Sequence, residues 1–212
     1  MPSHVSDTGL LVLHAVRLGG MVEARSAAAR FGLDPATAAE LLLDYESYGW
    51  VRRADFAGTG GWSLTERGRA ENERQLAAEL SSCGARPAVM EVHAAFLPLN
   101  ARFQAAVTRW QVRPAPGDPL AANDHTDFGW DDRVIDSLGS FGRRLTALCT
   151  GLAETLTRFD GYAGRYSAAI ARVERGERRW VDAVGQDSCH TVWFQFHEDL
   201  LATLGIARGS ES

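Results

Sequence analysis

The sequence predicts a mainly α-helical protein with two domains: residues 1–84 combine helices with a small β-hairpin, and residues 85–212 form an all-α helical bundle. Three observations support this fold class. Apolar residues recur at helical spacing through most of the chain. Glycine-flanked, aromatic-rich segments between residues 49 and 64 are typical of one hairpin. The breakers Gly84 and Pro87 separate the two helical parts.

Three helices are predicted before the hairpin. An opening helix covers Leu10–Leu18 and ends at a glycine pair, and a short helix follows over Met21–Gly32. Asp34 is placed to cap the third helix, with Pro35 at its first helical position. The third helix then spans residues 36–49.

The hairpin begins where Gly49 fits a left-handed stop to the preceding helix. Its strands are predicted at Trp50–Arg53 and Trp62–Leu64, joined by a tight tip at Gly58–Gly61. Thr65 is the expected cap of a long helix that leads to the domain boundary.

The second domain is predicted to hold four helices and one long loop. The helices cover residues 88–112, 131–159, 162–174 and 190–204. Pro98 is expected to kink the first of these helices or to divide it in two. Residues 113–127 are rich in Pro, Gly, Asn and Asp, which predicts an extended loop.

Composition limits the classes of function. The formal net charge is -5, and residues 1–81 hold eight arginines against eleven acidic residues, so no overall attraction to nucleic acid is expected. No apolar run approaches the roughly 20 residues of a spanning helix, and no leader pattern opens the chain. We therefore expect a cytoplasmic protein without a membrane partner. The three cysteines are widely spaced, which favours reduced structural thiols over disulfides or a metal site.

Two segments carry a family resemblance. They are Tyr45 with Gly49-Trp50-Val51-Arg52-Arg53, and Leu64-Thr65-Glu66-Arg67-Gly68-Arg69. Together they resemble the winged helix-turn-helix transcription regulators, nearest to the MarR-like group. The resemblance implies that the second helix of the motif enters the DNA major groove while the hairpin, called the wing, contacts phosphate. The implied DNA-binding residues are Thr37 and Glu40 at base edges, and Arg52, Arg53, Arg67 and Arg69 on phosphates.

The helix that would enter the major groove, which we call the reading helix, is the predicted helix over residues 36–49. Its outer side is acidic. Its register buries Ala38, Leu42 and Tyr45 and turns Ala36, Thr37, Glu40, Leu43 and Asp44 outward. A carboxylate can accept a hydrogen bond from cytosine N4, but basic groups must anchor the phosphates around it. Two interpretations follow. Either a dimer assembles an arginine patch across its subunits and binds DNA, or the helix is a packing and docking surface with solvated acids.

Polar and aromatic residues of the second domain suggest a small-molecule site. His190, Trp193, Phe194 and His197 share one face if their segment is helical. The candidate ligand-binding residues are His93, Asn100, Trp110, His125, Asp187, His190, Trp193 and His197. Apolar walls with a few polar groups are usual for such sites. The alternative is that these residues belong to a core in which their N–H groups are satisfied.

The second domain carries a further resemblance through Arg109-Trp110-Gln111, Asn123-Asp124-His125 and the segment from His190 to Leu201. These segments look like a helical domain of actinobacterial proteins, some joined to phosphoenolpyruvate-utilising modules. The swivelling-domain histidine and nucleotide-grasp machinery of those enzymes are not visible in the sequence. The resemblance therefore implies an accessory or regulatory domain.

The sequence thus favours a homodimeric transcription regulator whose helical domain senses a small-molecule effector and changes half-site spacing, with no cofactor, metal or catalytic residue assigned. A winged-helix module that docks a protein through the helix around Leu43, instead of DNA, is the second interpretation. An enzyme centred on His125, His190, His197 and Asp187 is the third.

Overall fold

The computed structural model describes residues 3–56 and 59–209. The helices are α1 (Thr8–Gly19), α2 (Ala24–Arg30), α3 (Pro35–Ser47), α4 (Glu66–Ser82), α5 (Arg86–Gln111), α6 (Phe128–Ala153), α7 (Gly161–Glu174) and α8 (Cys189–Leu204). The strands are β1 (Met21–Val22), β2 (Val51–Phe56) and β3 (Thr59–Leu64). The predicted class, mainly α-helical with a small β component, is confirmed in these residues.

The three strands form one antiparallel sheet in the order β1-β3-β2. Strand β1 pairs Met21 with Ser63 and Val22 with Trp62. The predicted helix over Met21–Gly32 is therefore wrong at its start. Met21 and Val22 become a strand because β3 offers them backbone partners, and tertiary pairing of this kind overrides a weak local helix propensity.

The chain forms two compact units that differ from the predicted division after residue 84. Unit 1 comprises Met1–Met90, Leu152–Gly161 and His197–Ser212, and unit 2 comprises Glu91–Gly151 and Tyr162–Phe196. Two late segments belong to unit 1 because its core needs them. Ala202, for example, packs in a cluster with Leu10, Leu11 and Leu76.

The main core of unit 1 lies beneath α3 and the sheet. Side chains of α1, α2, α3 and both hairpin strands meet there: Val12, Leu13, Val16, Ala28, Ala38, Leu42, Tyr45, Val51 and Trp62. Gly49, just after α3, has a φ of 70°, which confirms the predicted left-handed stop. Together these contacts fix α3 on one side only.

The core of unit 2 is largely aromatic. The Trp193 ring stacks on Phe103 with centroids 4.3 Å apart and contacts Phe96 at 4.9 Å and Phe141 at 5.7 Å. Tyr166 is fully buried and donates a hydrogen bond to the carbonyl of Leu138 at 3.0 Å. Four helices, α5 to α8, contribute these side chains.

The structure refines two helix predictions in the second half. Of the two alternatives for Pro98, division of the helix is wrong, because Pro98 lies inside the single helix α5. Pro98 is exposed, so the missing N–H removes one helical hydrogen bond without disturbing the core. Helix α6 ends at Ala153, before the predicted end at Phe159. Beyond this end the backbone is extended at Leu156, where it pairs with His4.

Within the described residues, no helix combines the length and apolar character needed to cross a lipid bilayer.

Candidate functional site

Helix α3 presents a continuous stripe of side chains to solvent. The exposed members are Ala36, Thr37, Glu40, Leu43 and Asp44. The buried side consists of Ala38, Leu42 and Tyr45. Both sets confirm the predicted register of this helix, so the acidic outer side is a property of the folded protein.

The start of α3 is fixed by its cap. The carboxylate of Asp34 accepts hydrogen bonds from the backbone N–H of Thr37 at 2.8 Å and from its hydroxyl at 3.0 Å. These two bonds, the backbone one first, lower the pKa of Asp34. The Asp34 carboxylate is therefore ionised near neutral pH. Because the Thr37 hydroxyl donates its only hydrogen to Asp34, it can only accept a hydrogen bond from a ligand.

The outer side of α3 carries negative charge and one large apolar side chain. Glu40, Asp44 and Glu46 are exposed, and the helix contains no basic residue. Leu43 is 53% exposed between them. Any basic anchoring for a nucleic acid must therefore come from other elements.

Arg52 and Arg53 lie on opposite faces of the sheet, since neighbouring strand residues alternate. Arg52 is paired with Ser63, and its Nε lies 3.5 Å from the Ser63 hydroxyl. Arg53 lies over the Trp62 ring, with its guanidinium carbon 4.8 Å from the ring centroid. Arg53 also lines a cavity of about 370 Å³ together with Glu23, Ala24, Gly60, Gly61 and Trp62.

Arg67 and Arg69, in the first turn of α4, point to different surroundings. Arg67 Nη1 lies beside Gly49, just after the C-terminal end of α3. A Cβ atom added to Gly49 would lie 3.5 Å from this nitrogen. Arg69 Nη1 lies 3.9 Å from the carboxylate of Glu198. The four predicted phosphate-binding arginines therefore do not form a single patch around Thr37 and Glu40.

The predicted hairpin tip, Gly58–Gly61, lies partly outside the described residues. Gly60 and Gly61 belong to β3. A Cβ atom at Gly61 would lie 2.9 Å from the Met21 side chain and 3.2 Å from the Val22 carbonyl oxygen, so this glycine allows β1 to approach.

In unit 2, three of the predicted ligand-binding residues are buried, namely His93, Trp110 and Trp193, and Asn100 is half-buried. Trp193 is buried, and its indole N–H donates to the Asn100 side-chain oxygen at 3.0 Å. His93 is also buried. For Trp193 and Asn100 this matches the alternative interpretation, in which the indole N–H is satisfied inside the core.

The two histidines of α8 differ in burial and in the unit to which they belong. His190 is half-buried, and its ring is parallel to that of Phe103 at 6.4 Å. His197 is buried and belongs to unit 1. Asp187 is exposed and binds Arg165, with Oδ2 2.8 Å from Nε. Phe194, expected on the same face, is 45% exposed.

His125 belongs to a polar cluster that the sequence did not fully identify. Its Nδ1 lies 3.0 Å from Asp131 Oδ2, and its ring contacts Trp110 with centroids 4.3 Å apart. The buried Asn123 donates to Asp131 at 2.9 Å and to the Trp110 carbonyl at 3.0 Å. The cluster closes the loop against the ends of α5 and α6.

His125 has a φ of 57°, the left-handed region that non-glycine residues seldom adopt. Arg178 helps to hold this conformation, because its Nη1 donates to the His125 carbonyl at 3.3 Å. Asp131 was missed because several acidic residues crowd this segment, and nothing local distinguishes the buried one from its neighbours.

Cys189 is a structural thiol. Burial raises the pKa of Cys189 to about 12, and a hydrogen bond with Tyr166 only partly offsets this effect. A thiol of this kind is protonated at neutral pH and is a poor nucleophile. That agrees with the predicted role of this cysteine.

No protein-family model matches the chain, no curated protein is significantly similar to it, and no solved structure matches it. The functional proposals below therefore rest on the geometry and chemistry of this chain.

Proposed function

We propose that unit 1 is a winged helix. Its elements follow the order helix, strand, helix, helix, strand, strand from α1 to β3. Strand β3 lies between β1 and β2, so the β2–β3 hairpin follows α3 directly and has the position of a wing. The resemblance carried by residues 45–53 and 64–69 supports the same interpretation.

We further propose that this unit binds duplex DNA and that the protein is a transcription regulator. The observation that carries this proposal is the one-sided anchoring of α3: its inner side is buried in the core, and its outer stripe is open along the whole helix. An α-helix of this kind fits the major groove. The Glu40 carboxylate would accept from cytosine N4, with Thr37 beside it at a base edge.

Phosphate contacts supply most of the affinity of such complexes. Arg52 on the outer face of the hairpin and the exposed Arg67 supply this role in the proposal. The exposed Arg25, in the first turn of α2, is a third candidate for a phosphate contact in this proposal. Arg53 contributes less, because it already lies on the Trp62 ring.

In this proposal, unit 2 pairs two chains in the cytoplasm and responds to a small-molecule effector. The described residues of unit 2 include four large apolar side chains that are exposed in a single chain: Leu120, Phe128, Val184 and Phe194 are 79%, 68%, 88% and 45% exposed. Exposed apolar groups of this size mark interaction surfaces when they are contiguous. Dimeric regulators of this kind place two reading helices in successive major grooves.

The test is fluorescence anisotropy with a labelled duplex, either the upstream DNA of its own gene or a random sequence, over a series of salt concentrations. We expect log K to fall linearly with log salt. Arg52→Ala should reduce the magnitude of the slope of log K against log salt by about 0.9, the value expected for the loss of one phosphate contact. Arg144 is an exposed arginine of unit 2, and Arg144→Ala should leave the slope unchanged. No complex at the lowest salt, or an affinity independent of salt, overturns the proposal.

A second candidate function follows from Leu43. This half-exposed side chain is surrounded on α3 by Glu40, Asp44 and Glu46, with no cation on the helix. Charge complementarity points to a partner protein that presents an apolar residue between basic ones on an amphipathic helix. Under this candidate, α3 binds protein instead of DNA.

Leu43→Arg separates the two candidates. It adds a cation to the helix, so it should strengthen DNA binding if α3 enters the groove, and it should abolish binding of a basic amphipathic helical peptide if α3 is a docking surface. Met90→Arg is the matched control, because Met90 is also 53% exposed in unit 1. Equal peptide binding by both variants eliminates the docking candidate.

A further inference from the structure

A cavity of unit 1 lies where β1 ends at the edge of the sheet. Strand β1 pairs Val22 with Trp62, and the chain then turns into α2. The preceding residues of β3, Gly60 and Gly61, continue to pair with β2. The space between the start of α2 and the hairpin has a volume of about 370 Å³. We call it the β1-edge cavity, and its described lining consists of Glu23, Ala24, Arg53, Gly60, Gly61 and Trp62.

The inner lining of the β1-edge cavity is uncharged. Trp62 is only 5% exposed, Gly61 is buried, and Ala24 at the start of α2 is half-buried. The volume of the cavity lies near the lower end of the range of about 300–1,000 Å³ that is usual for small-molecule sites. The cavity therefore suits a ligand of the size of a free amino acid.

Two opposite charges border the cavity. The Arg53 guanidinium lies over the Trp62 ring at 4.8 Å and makes no hydrogen bond or ion pair with another described residue. Glu23 precedes α2 as its N-cap residue, but its carboxylate makes no cap bond and no ion pair within the described part of the chain. Both side chains are exposed. A cation and an anion at one cavity are complementary to a zwitterion.

We propose that the β1-edge cavity binds a free α-amino acid with an apolar side chain. The Arg53 guanidinium donates paired hydrogen bonds to the ligand carboxylate, and the Glu23 carboxylate accepts hydrogen bonds from the ligand ammonium. The apolar side chain of the ligand packs on Trp62 and Ala24. Because the Trp62 ring already restrains Arg53, less conformational entropy is lost when the ligand binds.

This site is separate from the effector site proposed for unit 2, since all of its residues belong to unit 1. It does not depend on DNA binding. A bound ligand connects the start of α2 to the hairpin through Glu23 and Arg53, so its binding should stabilise unit 1.

Isothermal titration calorimetry of the full chain tests the two charged contacts with three related compounds. L-Leucine carries both charges, L-leucinamide lacks the carboxylate, and isocaproate lacks the ammonium. We expect wild type to bind L-leucine, and to bind each of the other two compounds about 10- to 100-fold more weakly, because a hydrogen bond between charged groups is lost in each case.

Two variants assign each contact to its residue. Arg53→Ala should bind L-leucine about 10- to 100-fold more weakly and should no longer discriminate it from L-leucinamide. Glu23→Ala should no longer discriminate L-leucine from isocaproate. Arg86→Ala and Glu66→Ala are the matched controls and should bind like wild type, because both residues are exposed in unit 1 and lie outside the cavity lining. A cooperative thermal transition in each variant establishes that it is folded.

Three outcomes overturn the proposal. The first is the absence of any heat of binding when wild type is titrated with millimolar L-leucine. The second is equal affinity of wild type for L-leucine and isocaproate, which indicates a simple anion site at Arg53. The third is L-leucine binding that is unchanged in both Arg53→Ala and Glu23→Ala, which places the ligand outside this cavity.

Discussion

The guanidinium of Arg158 and the carboxylate of Asp199 form an ion pair in which both side chains are fully buried. Glu79 accepts a second bond from Arg158 at 3.2 Å, and the Thr203 hydroxyl a third at 2.7 Å. Burial alone would lower the pKa of Arg158, but the charges of Asp199 and Glu79 raise it. The buried arginine therefore remains charged and ties α4, α8 and the turn at residues 157–159 together in unit 1.

Replacing Arg158 with Met should destabilise unit 1 by about 3–5 kcal/mol, because two buried carboxylates lose their counter-charge. Urea unfolding followed by far-UV circular dichroism measures the change. Arg144→Met is the control, since Arg144 is exposed. An Arg158→Met midpoint as high as that of the control would contradict this account of the ion pair.

Gly68 should tolerate no side chain. A Cβ atom there would lie 1.8 Å from the Trp50 carbonyl oxygen, because α4 packs directly on that backbone. We expect Gly68→Ala to cost about 3 kcal/mol. Gly164→Ala is the matched change in α7, where a Cβ atom meets nothing within 4 Å, and it should stabilise by about 0.5–1 kcal/mol. Thermal denaturation of both variants checks the prediction, which fails if the two melting temperatures change alike.

Asp131→Ala should loosen the loop at residues 113–127. The substitution leaves Asn123, His125 and Arg178 without their shared acceptor, at a cost of about 2–3 kcal/mol. Hydrogen exchange should show lost protection of the backbone N–H of Asn123, which donates to the backbone carbonyl of Gln111. The neighbouring Asp132 is exposed, so Asp132→Ala should leave exchange unchanged; equal protection in the two variants would argue against the loop-closing role.

Acid should destabilise unit 1 through Glu198. Its pKa is below the ordinary value of 4.5 in the folded protein, so the carboxylate contributes stability above pH 4.5 that is lost as pH falls through the lowered pKa. Glu198→Gln should therefore lose less unfolding free energy than wild type between pH 6 and pH 3. Glu91→Gln, at an exposed position of α5, serves as control and should follow wild type. Identical pH profiles for all three proteins would exclude this linkage.

Local signals in the sequence were enough to predict most helices and the hairpin. The cap at Asp34, the stop at Gly49 and the cap at Thr65 all act within a few residues, and the structure confirms each one. The register of α3 follows from its apolar spacing alone, so its acidic outer side was predictable. Side-chain periodicity identifies such features because one face of a helix must be buried.

Long-range pairing explains what the sequence did not predict. Val22 lies in a segment predicted to be helical, yet its partner is Trp62 in β3. Leu156, predicted within the helix, instead lies beyond the end of α6 and pairs with His4. Similarly, no local pattern shows that the Trp193 indole N–H donates to Asn100 within unit 2, or that His197 belongs to unit 1.

The sequence by itself determined the mainly helical class, the limits of most elements and the charge of the α3 surface, because helix caps, glycine conformations and apolar periodicity are local. The tertiary structure decided which distant charges meet. Arg158 pairs with Asp199 across 41 residues, and Arg17 with Glu198 across 181. Such pairs depend on where whole helices are placed by hydrophobic packing, and no spacing rule along the chain encodes that placement.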